Sequence, residues 1–199
     1  MKVKVGVMGS ANDTLPEGVS DAVREKAESL GREIAARDCL LLTGATTGLT
    51  YIVGKSARTN GAFHIGISPA GNEREHVEEY KLPLDSCDAI IYTGFGLKGR
   101  NVVLVRSCDV TIFIGGSIGS LNELTISHDE GRVIGCLTGT GGVADEAERI
   151  LKLFPKKSEA CVLHGDDPAR LLAACLEAFE QTKRMSVPPV TIADNGIAD

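Results

Sequence analysis

Three short stretches of this chain join glycines to hydroxyl side chains directly after an apolar run. They are Gly9-Ser10-Ala11-Asn12, Thr43-Gly44-Ala45-Thr46-Thr47-Gly48 and Gly115-Gly116-Ser117-Ile118-Gly119-Ser120. If each run is a strand, each stretch is a turn at its carboxyl end, where ligands of open α/β sheets bind. A following helix would present unpaired backbone N–H groups and a positive dipole end there. Glycine lets an anion approach those groups closely. One such turn would be ordinary loop chemistry, but three together point to a phosphate. The candidate phosphate- and nucleotide-binding residues are therefore Gly9, Ser10, Thr43, Gly44, Thr46, Thr47, Gly48, Gly115, Gly116, Ser117, Gly119 and Ser120. The sequence lacks GxxxxGK[ST], the first turn lacks GxGxxG spacing, and no acidic residue ends the second run to hold a ribose. These absences weigh against a P-loop NTPase and an NAD-dependent dehydrogenase.

Two charged residues lie near these turns. Arg100 is expected in the first turn of a helix that begins near Gly99. A cation there opposes the helix dipole unless an anionic ligand reverses the penalty; otherwise Arg100 is a solvated surface residue, as Lys98 beside it can be. Ser120-Leu121-Asn122-Glu123 has the form of a capping box, with Glu123 reaching back to the Ser120 N–H. Glu123 is equally a carboxylate beside a phosphate loop, able to bond ribose hydroxyls or to act as acid or base at a glycosidic bond. The histidines say less. His64 reads as a strand residue, His76 as part of a charged exposed loop, His128 as the end of a helix and His164 as the close of the last strand. No pair has metal-ligand spacing, so no bound metal is expected, and no GxSxG elbow supports Ser-His-Asp catalysis.

The elements that must hold these residues alternate. Apolar runs at Val3–Gly9, Cys39–Gly44, Phe63–Pro69, Ala89–Gly94, Val110–Gly116, Val133–Leu137 and Cys161–His164 read as strands. Helical patterns cover Glu17–Arg37, Gly48–Asn60, Gly99–Cys108, Ser120–Glu130, Gly142–Phe154 and Asp167–Lys183. Alternation of this kind predicts an α/β fold, a Rossmann-like, doubly wound, mostly parallel sheet of about seven strands with helices on both faces. Residues 1–199 are expected to form one domain, with a tail from Met185 that packs or frays. Residues 70–88 are the longest irregular stretch, and their Gly71–His76 segment reads as exposed.

Composition narrows the partners. The formal net charge is −6 and aromatics make up 4% of 199 residues. Single-strand nucleic-acid binders need positive grooves and stacking rings, so a nucleic-acid partner is not expected. Six cysteines, none in a CxxC pair, read as reduced thiols of a cytoplasmic protein. No apolar run approaches the length of about 20 residues needed to span a bilayer.

Arg100, Asp109, Gly119, Ser120 and Glu123 fall, without a gap, at the spacing of the RK…D…PGGxGTxxE signature. The chain thus resembles the LOG ("lonely guy") family, once labelled possible lysine decarboxylases. Gly9-Ser10 resembles that family's first phosphate turn, Thr43–Leu49 its GGGxxGLM turn, and Ile65-Gly66-Ile67-Ser68-Pro69 its VxGIxP strand, so the likeness covers about residues 3–165. The best-studied members are nucleoside 5′-monophosphate phosphoribohydrolases. The resemblance implies Arg100 and Glu123 as a catalytic pair, AMP-type substrates, cleavage of an N-glycosidic bond without a required cofactor, and a homodimer or larger homo-oligomer with its active site at or near the subunit interface.

The sequence also departs from the pattern. Asn101 stands for the family Lys, Gly115 for Pro, Ser117 for the second Gly of the pair, and Ser120 for Thr; Ala45 and Thr46 stand for glycines. In these positions the chain looks more like a branch of the same superfamily that holds DprA-related proteins and molybdenum-cofactor carriers. The carriers bind a pterin phosphate and are not hydrolases. The alternative is therefore a non-catalytic carrier or sensor of a phosphorylated ligand. Decarboxylation finds no support, since nothing marks Lys55, Lys81 or Lys98 as a pyridoxal-phosphate lysine.

Overall fold

In the computed structural model, which describes residues 1–11 and 20–186, seven strands form one parallel sheet. The strands are β1 (Lys4–Gly9), β2 (Leu40–Thr43), β3 (His64–Ser68), β4 (Ala89–Tyr92), β5 (Val110–Ile114), β6 (Val133–Leu137) and β7 (Cys161–Gly165). Their spatial order is β4-β3-β2-β1-β5-β6-β7. All seven expected runs are present, each within a residue or two of its reading.

The helices are α1 (Asp21–Ala36), α2 (Leu49–Thr59), α3 (Gly96–Ser107), α4 (Ile118–Asp129), α5 (Gly142–Leu153) and α6 (Pro168–Ser186). Helices α1, α2 and α6 cover one face of the sheet, over a core that includes Val5, Val7, Leu30, Ile34, Val53, Ile112 and Leu172. Helices α3, α4 and α5 cover the other, around Met8, Ile67, Leu104, Phe113, Leu124 and Ala147. Every residue of β5 and β6 is buried, which is why those strands read as unbroken apolar runs rather than alternating ones. The fold is the expected Rossmann-like one.

Capping explains several helix starts. Ser20 Oγ accepts the Val23 N–H at 3.3 Å and caps α1 at Asp21; Glu17, the expected start, lies outside the described residues along with Asn12. Asp167 Oδ1 accepts the Arg170 N–H at 2.8 Å, and Pro168 takes the first helical position, as expected. Of the expected tail, residues 187–199 lie outside the described ones.

The stretch 70–88 contains one π-type turn, Glu75–Glu79. His76 in it is buried rather than exposed. Its Nδ1 lies 2.8 Å from Ser68 Oγ and its Nε2 3.2 Å from the Pro83 carbonyl, so the loop is tied across the end of β3. His64 is buried too, between Thr43 Oγ1 at 2.8 Å and the Ser86 carbonyl at 2.5 Å. All six cysteines are free, and Cys161 is the one that is not fully buried. No described helix is long and apolar enough to cross a membrane.

Candidate functional site

Strand order reverses between β1 and β5, because β2 to β4 build outward on one side and β5 to β7 on the other. Open sheets bind ligands in the crevice at such a switch point, beyond the strand carboxyl ends. A cleft of about 270 Å³ opens there. Gly9 and Ala11 after β1, Gly44 and Thr46 after β2, and Ser117–Ser120 at the start of α4 form its walls, with Leu97, Lys98, Arg100 and Asn101 of α3 and Glu123 of α4 completing it.

The turns are bonded to one another. Gly116 N–H donates to Ser10 Oγ at 2.7 Å, Leu49 N–H donates to the Ser10 carbonyl at 2.9 Å, and Ser120 Oγ donates to the Gly9 carbonyl at 3.2 Å. Gly115 and Gly116 hold φ of +61° and +106°, a region that side-chain-bearing residues rarely adopt. That reversal sends their carbonyls away from the cleft to accept Ala144 N–H at 2.9 Å and Val143 N–H at 3.1 Å, at the start of α5. It also lets α4 begin at Ile118, with Ser117 as its N-cap. The first N–H groups of a 12-residue helix, Ile118 to Ser120, thus face the cleft.

This start corrects one expectation. Ser120 lies inside the first turn of α4 and is not its cap, so Ser120 and Glu123 do not form a capping box. Glu123 is instead buried on the cleft floor, with its Oε1 3.5 Å from Arg100 Nη1. Arg100 is corrected in the same way. Helix α3 starts at Gly96, which puts Arg100 in the second turn, buried rather than solvated. The guanidinium lies against the Cα of Gly44: a methyl on Gly44 would land on Nη1 and stand 2.5 Å from Cζ and 2.7 Å from Nη2. Only glycine permits that approach.

The pair is not a simple stabilising bridge. At an effective dielectric of about 20, two charges about 3.5 Å apart attract by about 5 kcal/mol, while removing each from water costs several kcal/mol. Desolvation is the larger effect for both partners. Burial pushes the Glu123 carboxyl up to about 7, against the lowering pull of Arg100 and then Lys98. Burial likewise lowers Arg100, against the raising effect of Glu123. Arg100 Nε, buried, has no hydrogen-bond partner among the described residues. A buried arginine and a carboxyl that changes charge near neutrality therefore sit beside the N-terminus of α4.

Of the candidate residues, the structure brings Gly9, Gly44, Thr46, Ser117, Gly119, Ser120, Arg100 and Glu123 together around one cleft. Others stand behind it. Ser10 links the turns, Thr43 bonds His64, Gly48 caps α2, and the Gly115 and Gly116 carbonyls accept N–H groups at the start of α5; Thr47 is not in the cleft wall. Several lining residues escaped sequence reasoning. Leu97 and Ile118 look like ordinary apolar positions but are 50% and 72% exposed at the cleft mouth. Lys98, read as solubilising, lines the mouth near Gly119. Asn101 is buried beside the Glu123 carboxyl; its standing at the position of the family Lys was the signal for it.

A model of the SLOG cluster4 family matches residues 2–172, the whole of the sheet and its cleft. The chain belongs to the SLOG cluster4 family. As a SLOG protein it bears out the likeness to the LOG superfamily drawn from Arg100 to Glu123. An uncharacterized protein of Archaeoglobus fulgidus is 27% identical over 135 residues, 68% of this chain and 80% of that one. Among solved structures, TM1055 is 25% identical with a TM-score of 0.75, covering 89% of this chain and 99% of its own. A molybdenum cofactor binding protein of Rippkaea orientalis is 26% identical with a TM-score of 0.69, covering 92% and 98%. This SLOG chain thus spans nearly the full length of both of these solved structures.

Proposed function

We propose that the cleft binds a phosphorylated small molecule and hydrolyses a nucleoside 5′-monophosphate at its N-glycosidic bond. The observation that carries this is the buried Arg100–Glu123 pair beside the open N-terminus of α4. The phosphate sits on the N–H groups of Ile118 to Ser120, with the Ser117 and Ser120 hydroxyls and Thr46 around it. Arg100, which lines the cleft, offers its guanidinium to the ribose or phosphate oxygens. Glu123, ionised, takes a proton from the attacking water or holds a ribose hydroxyl; protonated, it gives a proton to the departing base. Water and the monophosphate become free base and ribose 5-phosphate, and no metal or cofactor enters. The test is incubation with AMP and related monophosphates, followed by assay of both products. Release that disappears in Arg100→Ala and Glu123→Gln is expected; no release from any purine or pyrimidine monophosphate overturns the hydrolysis.

A second reading has its own support. The Rippkaea orientalis protein that this chain matches over 92% of its length binds molybdenum cofactor, and Asn101 and Ser117 depart from the hydrolase pattern. On this reading the cleft carries a pterin phosphate and does no chemistry. Native mass spectra of the purified protein showing a retained pterin, with no release of base from monophosphates, favour it. In either case the exposed Ile91, Phe95, Leu97, Val102 and Ile118 give β4, α3 and α4 an apolar rim suited to a second copy of the chain. Light scattering giving twice the 21.0 kDa chain mass is the expected result. The cytoplasmic setting belongs to the same proposal and rests on six free thiols. A nucleic-acid partner is not part of it; salt-dependent retention of single-stranded DNA on a filter would count against the whole reading.

A further inference from the structure

Two buried histidines repeat one hydrogen-bond pattern at the carboxyl ends of neighbouring strands. His64 Nδ1 lies 2.5 Å from the Ser86 carbonyl, and its Nε2 lies 2.8 Å from Thr43 Oγ1. A carbonyl only accepts, so the proton is on Nδ1, and the bare Nε2 of the neutral ring accepts the Thr43 hydroxyl. Thr43 Oγ1 in turn accepts the Ala45 N–H at 3.2 Å. His76 repeats this with its nitrogens exchanged. Its Nε2 faces the Pro83 carbonyl at 3.2 Å, its Nδ1 faces Ser68 Oγ at 2.8 Å, and Ser68 Oγ accepts the Ala70 N–H at 3.0 Å. In both cases the hydroxyl is the last residue of its strand, β2 or β3, and holds the N–H two residues on. Burial lowers the proton affinity of His64, favouring the neutral ring.

Both patterns end beside Arg100. Ala45 holds φ of +52°, a costly region for a residue with a side chain, and it follows Gly44, against which the guanidinium lies. The Ala70 carbonyl accepts the Gly94 N–H at 2.9 Å, and the Pro69 carbonyl accepts the Gly96 N–H at 3.0 Å. Those two glycines make the reversal from which α3, the helix that bears Arg100, begins. We propose that His64 and His76 are positioning residues of the cleft: each, through the hydroxyl it holds, fixes one of the two turns that set Arg100 in place. His64 fixes the turn that admits the guanidinium, and His76 fixes the turn that starts its helix. No proton changes hands. Each ring is a bridge that donates to one carbonyl and accepts from one hydroxyl, and neither lines the cleft.

As chemistry this rests on the reading of the cleft as a ligand site, but the deciding measurements need no ligand. In the unaltered protein, proton–nitrogen NMR spectra of the imidazoles should show His64 protonated on Nδ1 and His76 on Nε2. A glutamine amide reaches where Nε2 stood, and an asparagine amide where Nδ1 stood. His64→Gln and His76→Asn therefore keep an acceptor for the hydroxyl, whereas His64→Asn and His76→Gln keep only the donor to the carbonyl. In the second pair, exchange of the Ala45 or Ala70 amide proton should speed by about tenfold, and the Arg100 Nε–H resonance, assigned by its loss in Arg100→Lys, should shift; in the first pair both should stay as in the parent. A packing role would predict the same preferred amide at both sites, or none. AMP affinity should also fall about fivefold in the second pair. AMP that binds no form of the protein would count against the ligand reading, while the resonances still decide this one. Tautomers the other way round (visible even if a variant fails to fold), or Asn and Gln variants alike at either site, overturn the proposal.

Discussion

Glu123 should make the folded protein less stable as the pH rises. Burial carries its carboxyl from 4.5 to about 7. Between those values the folded chain keeps a proton that the unfolded chain has released, so the unfolding free energy falls across that window and levels off above it. Each unit of difference is worth about 1.4 kcal/mol, so the full window amounts to about 3 kcal/mol. The attraction of Arg100 is already contained in that figure, because it acts on the same ionisation. Glu123→Gln keeps the shape and a hydrogen-bonding oxygen while removing the titration. Urea unfolding of both proteins, at fixed ionic strength from about pH 4.5 to about pH 8.5, isolates the effect by difference, since other groups titrate alike in both. The variant should gain on the parent by about 3 kcal/mol from the acid to the alkaline end of that range. A difference that stays flat within about 0.5 kcal/mol would show that Arg100 cancels the desolvation and that the carboxyl is an ordinary one. A slope of opposite sign would refute the reasoning outright.

Gly44→Ala puts a methyl on the Arg100 guanidinium, and should cost about 1–3 kcal/mol in thermal unfolding from overpacking. It should also weaken AMP binding, followed by calorimetry, by tenfold or more through the displaced charged hydrogen bond, about 1.5–3 kcal/mol; unchanged affinity would remove Arg100 from the ligand site. Binding a dianionic phosphate beside Glu123 should raise its proton affinity further, so AMP binding near pH 7.5 should take up a fraction of a proton. Calorimetry in two buffers of different ionisation enthalpy reads that number directly, and identical heats would contradict it. Burial pushes the Cys108, Cys136 and Cys175 thiols up to about 12 and Cys87 up to about 11. A thiol reagent should therefore label Cys161 first in the native protein, with the others following only on unfolding; fast labelling of a second thiol would mean that the sheet opens locally.

The sheet was legible because strands covered on both faces are apolar throughout: Val110–Ile114 and Val133–Leu137 leave no other reading. The turns were legible for a related reason, since glycine clusters after such runs have few other uses. What could not be read was where helices begin, and that decided the site. A shift of three residues, from Gly99 to Gly96 at α3, carries Arg100 from a solvated first turn to a buried second one. A shift of two, from Ser120 to Ile118 at α4, dissolves the capping box and turns Glu123 inward. Both starts are set by backbone reversals at Gly94 and Gly96, and at Gly115 and Gly116, whose φ values local sequence does not determine. His76 was misread because the evidence for its burial, Ser68 and the Pro83 carbonyl, lies in other segments. A charged pattern such as Glu73–Glu79 carries no trace of such partners.

The meeting of Arg100 and Glu123 follows from the strand order rather than from either helix. After β4 at one edge of the sheet the chain returns to β5 beside β1, so α3 must cross beneath β3, β2 and β1 on its way. That path lays Arg100 under the end of β2, where Gly44 has no side chain to keep it away. Helix α4 then starts from the next strand end and packs alongside α3, which brings Glu123 to the same place. Had β5 joined the sheet beside β4, neither the cleft nor the crossing would exist. The reversal that opens the crevice is thus also what buries the ion pair in its floor. Because Glu123 lies 3.5 Å from the guanidinium and Gly44 leaves space for it at the end of β2, Arg100 already sits in the cleft floor before any ligand arrives, which reduces the ordering left for binding.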